Sequence, residues 1–392
     1  MRAQSPSWVV GVGKAVIVFH SFNKRGGVER VAAETVGFLV EKGHEVVVVA
    51  ARVEDGCLPR SVNVDLVPGS GPAPIGVQRF KRAASRAVVE RHPGHALGTF
   101  GVFAPPRGLV WVQSVHARWI ETSRALPSGH GPMQTLNPFH VAALRAERQM
   151  FRERRYRHLL ALTAEVKLDL GRFYDVPAED VTVLPNGYNP AEFSPERAEL
   201  ERSAARARLV LGPDVVAVLF VANESRRKGL GVLLGAVARL DQSNVVVVVV
   251  GKLDKRKVQK EAAARGLAPE RLRVCRPSSD IASYFAAGDL FVLPTTYEAW
   301  GLVIVEALAT GLPVITSRAA GASIAVSARS GLLLDDPRDV QELEVALANA
   351  LRTLVGTPRR AVAAGVEAWA WHRLLREYEA ALFSAQVTFP GT

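Results

Sequence analysis

Two α/β domains built on parallel sheets are what this sequence predicts, and three observations predict them. The chain has 392 residues, more than a single hydrophobic core usually covers, so two domains are expected. Short β-branched runs such as KAVIVFH (14–20), EVVVVAA (45–51) and NVVVVVV (244–250) alternate with helix-length stretches. That is the pattern of buried parallel strands joined by helical crossovers. The stretch 291–316, FVLPTTYEAWGLVIVEALATGLPVIT, condenses the pattern into one unit. An apolar strand is closed by Pro294, a polar turn follows, an apolar helix is stopped by Gly311 and Pro313, and a second short strand comes after it.

The first half follows this scheme in order. Residues 1–13 carry no clear structural signal, and 14–20 read as the first strand. The turn SFNKRGGVER (21–30) leads into a helix over 28–42, ended by Gly43, and 45–51 is the second strand. The opening is therefore a βαβ unit, although Gly26-Gly27 is not the G-x-G-x-x-G of a dinucleotide fold. Residues 55–74 read as loop around a short strand near 62–67, and a basic helix covers 77–92. Strands are expected at 97–103 and 109–115, the second running into His116. Residues 119–138 hold Gly, Pro, Ser and His without a long periodic segment and read as a surface excursion. A helix over 139–158, a strand over 159–163, a helix ending near Tyr174 and a strand over 181–184 complete this half.

A boundary is expected near 186–210, where charged and breaker residues separate two strand-rich halves. Beyond it come a strand (215–221), the polar loop ANESRRKG (222–229), a helix (230–240) and the all-valine strand ending at Val250. A charged helix (255–265), a strand (271–275) and a short helix (280–288) lead back to the 291–316 unit. A small-residue turn (319–325), a strand (331–334) and a helix (340–355) follow. The last amphipathic stretch, 362–382, holds Trp369, Trp371 and Tyr378. No repeat of solenoid period is present.

Composition narrows the class. Hydrophobic residues make up 48% and charged residues 22%, as in a soluble globular protein. Two cysteines, Cys57 and Cys275, do not make a disulfide scaffold and suit a reducing cytosol. No apolar run approaches the ~20 residues of a membrane span. Lys14 interrupts the first apolar segment, and no cleavage pattern follows it. A cytoplasmic protein is expected.

Lys and Arg number 49 against 38 Asp and Glu, a formal charge of +11, which favours anionic partners. Much of the excess lies in two stretches. Residues 77–92 carry Arg79, Lys81, Arg82, Arg86 and Arg91 against Glu90. Residues 141–158 carry Arg145, Arg148, Arg152, Arg154, Arg155 and Arg157 against Glu147 and Glu153. No Cys/His finger or stacking-aromatic pattern accompanies them, so nucleic acid is not an expected partner. An anionic membrane surface and plain solvated helix faces are both open readings.

Chemistry is concentrated around Glu306. Its neighbours 302–305, 307 and 308 are apolar, so it sits inside a buried helix, where a carboxylate is costly unless paired or hydrogen-bonded. It also lies about one turn inside the helix N-terminus, where the dipole favours negative charge and free amides near Gly301, Leu302 and Val303 suit a phosphate. A diphosphate on those amides, a ribose on Glu306 and a sugar reaching Glu298 would make a nucleotide-sugar site. The alternative has Glu306 capping a neighbouring loop or pairing with an arginine.

Glu298-Ala-Trp-Gly301, then Glu306-Ala-Leu-Ala-Thr-Gly311-Leu-Pro313-Val-Ile, resembles the E-x7-E signature of retaining, nucleotide-sugar-dependent glycosyltransferases of family 4. The resemblance extends over most of the chain. It implies the GT-B fold: two Rossmann-like domains facing a cleft, with a C-terminal helix crossing back to the first. The domains expected are 1–190 for the acceptor and 191–368 for the NDP-sugar donor, with 369–392 as crossover helix and tail. The resemblance further implies that the Gly26-Gly27 pair faces donor phosphate and acceptor, where backbone must approach without a Cβ; a plain tight turn is the alternative. His116, at a strand's C-terminal end where α/β folds place ligands, takes the role of a sugar-contacting histidine, or else is structural. His20, also ending a strand, is a weaker candidate.

Lys228-Gly229 matches the end of the family's diphosphate loop, whereas Ala222-Asn223 replaces its usual Gly-Arg. The arginine role then falls to Arg226 or Arg227, with Arg227 preferred; a solvated basic loop is the alternative. Pro185-Asn186-Gly187-Tyr188-Asn189 resembles the interdomain P-N-G-x-D turn with Asn189 in place of the acid. In sum, His116, Glu298, Arg227 and Lys228 are the expected catalytic residues. Gly26, Gly27, Gly301, Leu302, Val303 and Glu306 join the last three in donor binding. No D-x-D tripeptide occurs, and no metal or cofactor is expected beyond the NDP-sugar co-substrate.

The acceptor is a hydroxyl on an unidentified glycan, lipid or small molecule, and the inner membrane face is a candidate site of peripheral attachment. A nucleotide-sugar epimerase or phosphorylase of the same fold, or a basic non-catalytic anion-binding protein, is the competing reading. Buried Glu306 is left unexplained by the last.

Overall fold

The structure, a computed structural model, describes residues 11–23, 26–72, 74–125 and 137–384. It divides into two compact units, one of 1–185 with 372–392 and one of 186–371.

The first unit is a seven-stranded, wholly parallel sheet. Its strands are β1 (Lys14–Val18), β2 (Glu45–Ala50), β3 (Asn63–Leu66), β4 (Ala96–Phe100), β5 (Leu109–Val112), β6 (His158–Ala161) and β7 (Val181–Val183). They lie in the order β3-β2-β1-β4-β5-β6-β7. The order reverses between β1 and β4, which makes a doubly wound topology. The central strands are buried on both faces, which is why they read as unbroken β-branched runs. Helix α1 (Gly27–Glu41) connects β1 to β2, and α2 (Ile75–Arg91) lies between β3 and β4. Phe80, Ala84 and Ala87 of α2, at helical spacing, pack on Val16, Val18, Val47 and Val49. Each such fully buried large side chain contributes about 1.5–3 kcal/mol.

Several boundaries differ from expectation. Strand β5 ends at Val112, and His116 opens a helix, α3 (His116–Arg124), that runs into the expected surface excursion. Residues 126–136 of that excursion lie outside the described residues, as do 1–10, Lys24, Arg25 and the tail 385–392. The single helix expected over 139–158 is α4 (Pro138–Glu147) followed by a π turn (Arg148–Arg152). Arg154 then takes φ +50° and turns the chain into β6. Helix α5 (Ala164–Tyr174) follows, capped by the Thr163 side chain.

The second unit is a six-stranded parallel sheet, also doubly wound. Its strands are β8 (Val216–Val221), β9 (Val245–Val250), β10 (Leu272–Cys275), β11 (Leu290–Leu293), β12 (Val314–Ser317) and β13 (Gly331–Leu334). Their order is β10-β9-β8-β11-β12-β13. All six residues of β9 are buried.

One helix here escaped the sequence reading: α6 (Pro195–Arg208), in the segment taken as a boundary. Ser194 caps it, Pro195 stands at its first position and Glu196 in its first turn, all standard start signals. Its composition is too polar to show an apolar stripe. Arg206 and Arg202 of this helix instead reach Asp289 at 3.0 and 2.5 Å, just before β11.

The crossovers are α7 (Leu230–Arg239), α8 (Lys255–Ala264), α9 (Ile281–Ala287), α10 (Leu302–Ala309) and α11 (Val340–Thr353), with the short α12 (Arg359–Ala363) after them. The last amphipathic stretch is not continuous. Extended Ala370 bridges to Tyr188, and the Trp371 amide donates to the Tyr188 carbonyl at 3.0 Å, so the chain cannot stay helical there. Helix α13 (Trp371–Phe383) starts afresh.

From His372 onward α13 belongs to the first unit. Tyr378 stacks on Trp111 with ring centroids 4.9 Å apart, and His44 meets Glu379 at 2.7 Å. The Gly13 amide donates to His44 Nδ1, so Nε2 carries the proton and donates to Glu379. Arg157 donates to the Ala381 and Leu382 carbonyls at 2.7 and 3.0 Å, satisfying the open end of the helix. The C-terminal helix thus does cross back to the first unit. No described helix is long and apolar enough to cross a membrane.

Candidate active site

In the second unit the strand order reverses at β8 and β11, which pair directly. A ligand crevice is expected outside the carboxyl ends of such strands. Two loops leave them: 222–229 after β8 and 294–301 after β11. Gly229, at φ +77°, lets the two press together, since a Cβ there would stand 2.1 Å from the Pro294 carbonyl. The Arg227 carbonyl accepts from the Thr296 amide at 2.9 Å and from Thr295 Oγ1 at 3.1 Å. These bonds hold the cations of the first loop against the acid of the second.

Lys228 Nζ contacts Glu298 Oε2 directly, and Arg227 Nη1 lies 3.7 Å from the same oxygen. Arg227 also reaches Glu224 at 3.0 Å and donates to the Tyr297 carbonyl. Burial pushes the Lys228 ammonium down to about 7, with Arg227 acting the same way and Glu224 opposing. Arg226 is exposed, so Arg227 is the arginine that turns inward.

Glu298 is fixed from its other side. Its amide donates to the Ala319 carbonyl at 3.1 Å, and its carbonyl accepts from Gly321 at 2.9 Å. Gly301, at φ +101°, is the N-cap of α10, a left-handed conformation that favours glycine. Its carbonyl takes the Ile304 amide at 2.9 Å, and helix geometry gives the Leu302 and Val303 amides no acceptor within the helix. Glu306 follows one turn later and is 0% exposed. Arg227, Lys228, Glu298, Gly301, Leu302, Val303 and Glu306 therefore share one unit and one end of its sheet. The arrangement offers two cations, a helix dipole and two carboxylates, the inventory for an anion with hydroxyls on either side.

Two family models match this chain: "Glycosyl transferases group 1" over 216–354 and "Glycosyltransferase Family 4" over 25–192. A D-inositol 3-phosphate glycosyltransferase of Streptomyces scabiei is 31% identical over 364 residues, covering 82% of this chain and 78% of the relative. The chain belongs to the family 4, group 1 glycosyltransferases. Another glycosyltransferase of the same description, from Streptomyces avermitilis, is 31% identical over 79% of this chain and 70% of its own. Among solved structures, WaaG, a glycosyltransferase involved in lipopolysaccharide biosynthesis, superposes with a TM-score of 0.80 at 21% identity. It covers 95% of this chain and 100% of its own. Anabaena HepE, in complex with UDP and glucose, gives 0.70 at 18% identity over 95% and 100%. These likenesses establish the fold as GT-B.

The glycosyltransferase's remaining candidates lie in the first unit. Gly26 is the N-cap of α1 and Gly27 its first residue, with Glu29 in the first turn. His20 Nε2 lies 3.3 Å from the Gly69 carbonyl, a structural contact. His116 Nε2 lies 3.0 Å from His140 Nδ1, and its ring stacks on Trp119. Burial, with His140 beside it, lowers His116 to about 4, so His116 is neutral at pH 7; burial lowers His140 as well.

Sequence reasoning missed what holds His116. Helix α3 has no local cap. The Glu147 carboxylate supplies one from α4, accepting from the amides of His116 and Ala117 at 2.5 and 3.2 Å and from the Tyr174 hydroxyl. Glu147 is 2% exposed among Ala143, Ala146 and Met150. An acid on the apolar face of a helix, the cue that singled out Glu306, was present here too.

Burial outweighs those three donors and raises Glu147 from 4.5 to about 7. Between these values the folded protein keeps a proton the unfolded chain has lost, so this group's contribution to stability falls as pH rises through the window. Glu147→Gln is expected to flatten the fall between 4.5 and 7 in urea-unfolding free energy; an unchanged pH slope would show that the group ionises normally. Among the described residues no cluster of three or more His, Cys, Asp or Glu is placed to hold a metal ion.

Proposed function

We propose that this glycosyltransferase moves a hexose-type sugar from an NDP-sugar, with UDP-sugar the first to test, to an acceptor hydroxyl with retention and without a metal. One observation carries the reading: Arg227 and Lys228 converge on Glu298 beside the open amides of a helix that bears buried Glu306. An arriving diphosphate would take the two cations and the Leu302 and Val303 amides. Glu298 would then be released to accept from the sugar's hydroxyls, and Glu306 would accept from the ribose. As the sugar–oxygen bond breaks, negative charge grows on the leaving diphosphate. Arg227, Lys228 and the helix dipole stand where that charge develops, in place of a divalent ion. His116, Gly26 and Gly27 are proposed contacts of the transferred sugar and the acceptor.

A UDP complex of a GT-B neighbour, HepE, supports uridine as the first base to try. The relatives' name supports adding a phosphorylated polyol to the acceptors. The formal charge of +11 supports action at an anionic membrane face. The test is NDP release from a panel of NDP-sugars, with and without candidate glycan, lipid and polyol-phosphate acceptors. Acceptor-dependent release with a glycosylated product supports transfer. Rearranged sugar without an acceptor would favour an epimerase, and no turnover or binding of any NDP-sugar would overturn the reading.

A proton should accompany the donor. Lys228 titrates near 7 in the free protein, and a bound diphosphate favours its charged form, so its value rises on binding. At about pH 8 UDP binding is therefore expected to take up protons. Calorimetry in buffers of different ionisation enthalpy measures this; uptake that persists in Lys228→Met would assign it elsewhere.

A further inference from the structure

A groove of about 940 Å³ lies between α2 and α4 in the first unit, a size suited to a small-molecule ligand. Lys81, Arg82 and Ser85 line it from α2, Arg145 from α4, Gln149 from the π turn that follows α4, and Arg155 joins them. The spacing of 81, 82 and 85 puts that set within one face of α2. Among the described residues no carboxylate lines the groove; Pro74, Pro106, Pro138 and Val141 supply apolar wall.

The neighbouring cations have structural work. Arg91 pairs with Asp65 at 2.8 Å and Arg152 with Asp175 at 3.3 Å. Arg157 is taken up by the end of α13. The groove's own cations differ. Among the described residues Arg82 and Arg145 have no ion pair. Lys81 reaches only a neutral acceptor, Gln149 Oε1, at 3.3 Å. Arg155 pairs with Glu153 at 2.7 Å in a half-exposed contact, which is worth little in water. Burial and the nearby Arg155 push Lys81 below its ordinary range, with Glu153 opposing. Like charges gathered on a concave wall with Glu153 as their one half-exposed counter-ion among the described residues repel one another, and an anion relieves the repulsion.

We propose that the groove between α2 and α4 binds a phosphate-bearing ligand, a phosphomonoester or phosphodiester gripped by Lys81, Arg82, Arg145 and Arg155. Guanidinium forks match phosphate oxygens in pairs, and the ammonium adds a point charge. The apolar wall takes the uncharged body of the ligand. The site is separate from the Arg227–Lys228 cluster and does not rest on the transfer reading, so it can stand or fall without NDP release.

The phosphate can be a lipid headgroup or part of a soluble molecule, and two arms distinguish them. The full chain is tested by flotation with vesicles of phosphatidylcholine, with and without phosphatidylglycerol, and by calorimetric titration with glycerol 3-phosphate. Lys81→Glu with Arg145→Glu is compared with a charge-matched control in the second unit, Arg239→Glu with Arg352→Glu. The groove pair is expected to weaken binding roughly tenfold or more while the control does not. Arg145→Gln alone, milder and checked by thermal midpoint, should weaken the same probe should the double variant misfold. Groove-dependent binding of the anionic vesicles alone assigns a lipid headgroup; groove-dependent binding of glycerol 3-phosphate assigns the phosphate itself. Equal loss in the control, or no binding of either probe by the unaltered chain, overturns the proposal.

Discussion

Replacing Arg227 and Lys228 together by alanine is expected to lower turnover at saturating NDP-sugar by about a hundred- to a thousandfold. Both side chains converge on Glu298, and both stand where the departing diphosphate would gain charge. The two act as a unit, so the single variants should each lose most of the effect and their losses should not add. The folding cost should be smaller, because removing the cations also ends the cost of keeping a buried ammonium near neutrality. Stopped-time product analysis at saturating donor reads the loss. Turnover equal to that of the unaltered enzyme would remove the pair from the site.

Glu306→Ala is expected to weaken UDP binding roughly tenfold to a hundredfold, the worth of a hydrogen bond to a charged acceptor. The residue is fully buried in α10, so truncation also leaves a cavity, and Glu306→Gln separates the two effects. Glutamine keeps the volume and one acceptor and should fall between glutamate and alanine in affinity, with a smaller change in thermal midpoint. Calorimetry with UDP is the direct measurement. Unchanged affinity in Glu306→Ala would refute the ribose role and leave the carboxylate as a structural cap.

The two sheets were legible because parallel strands buried on both faces must be apolar along their whole length. EVVVVA and VVVVVV admit no other packing, so their positions came within a residue or two. The candidate site of the second unit was legible for the opposite reason: Glu306 is a carboxylate where an apolar residue would be more stable, and that anomaly is visible without coordinates. The same physics was available at Glu147, but its arginine-rich surroundings disguised a buried acid as one member of a surface charge pattern.

Strand ends were harder to read. The run from Leu109 continues through Val115, and nothing local shows that β5 stops at Val112, because the cap that starts α3 comes from Glu147, 31 residues away. Helix α6 showed no legible apolar stripe, since the face it buries is only alanine, Ala198 and Ala205 against Ala286 and Ala287, while its arginines bind carbonyls and Asp289. The break before α13 likewise depends on a distant partner, Tyr188. Periodicity reports a segment's own burial; it does not report which remote group will end it.

The central claim is that the tip of α10 grips pyrophosphate and ribose together, and a crystal structure of the enzyme soaked with UDP tests it most directly. The diphosphate is predicted on the Leu302 and Val303 amides within reach of Arg227 and Lys228, and the ribose hydroxyls on Glu306. Density for UDP that leaves those amides and Glu306 untouched would contradict it.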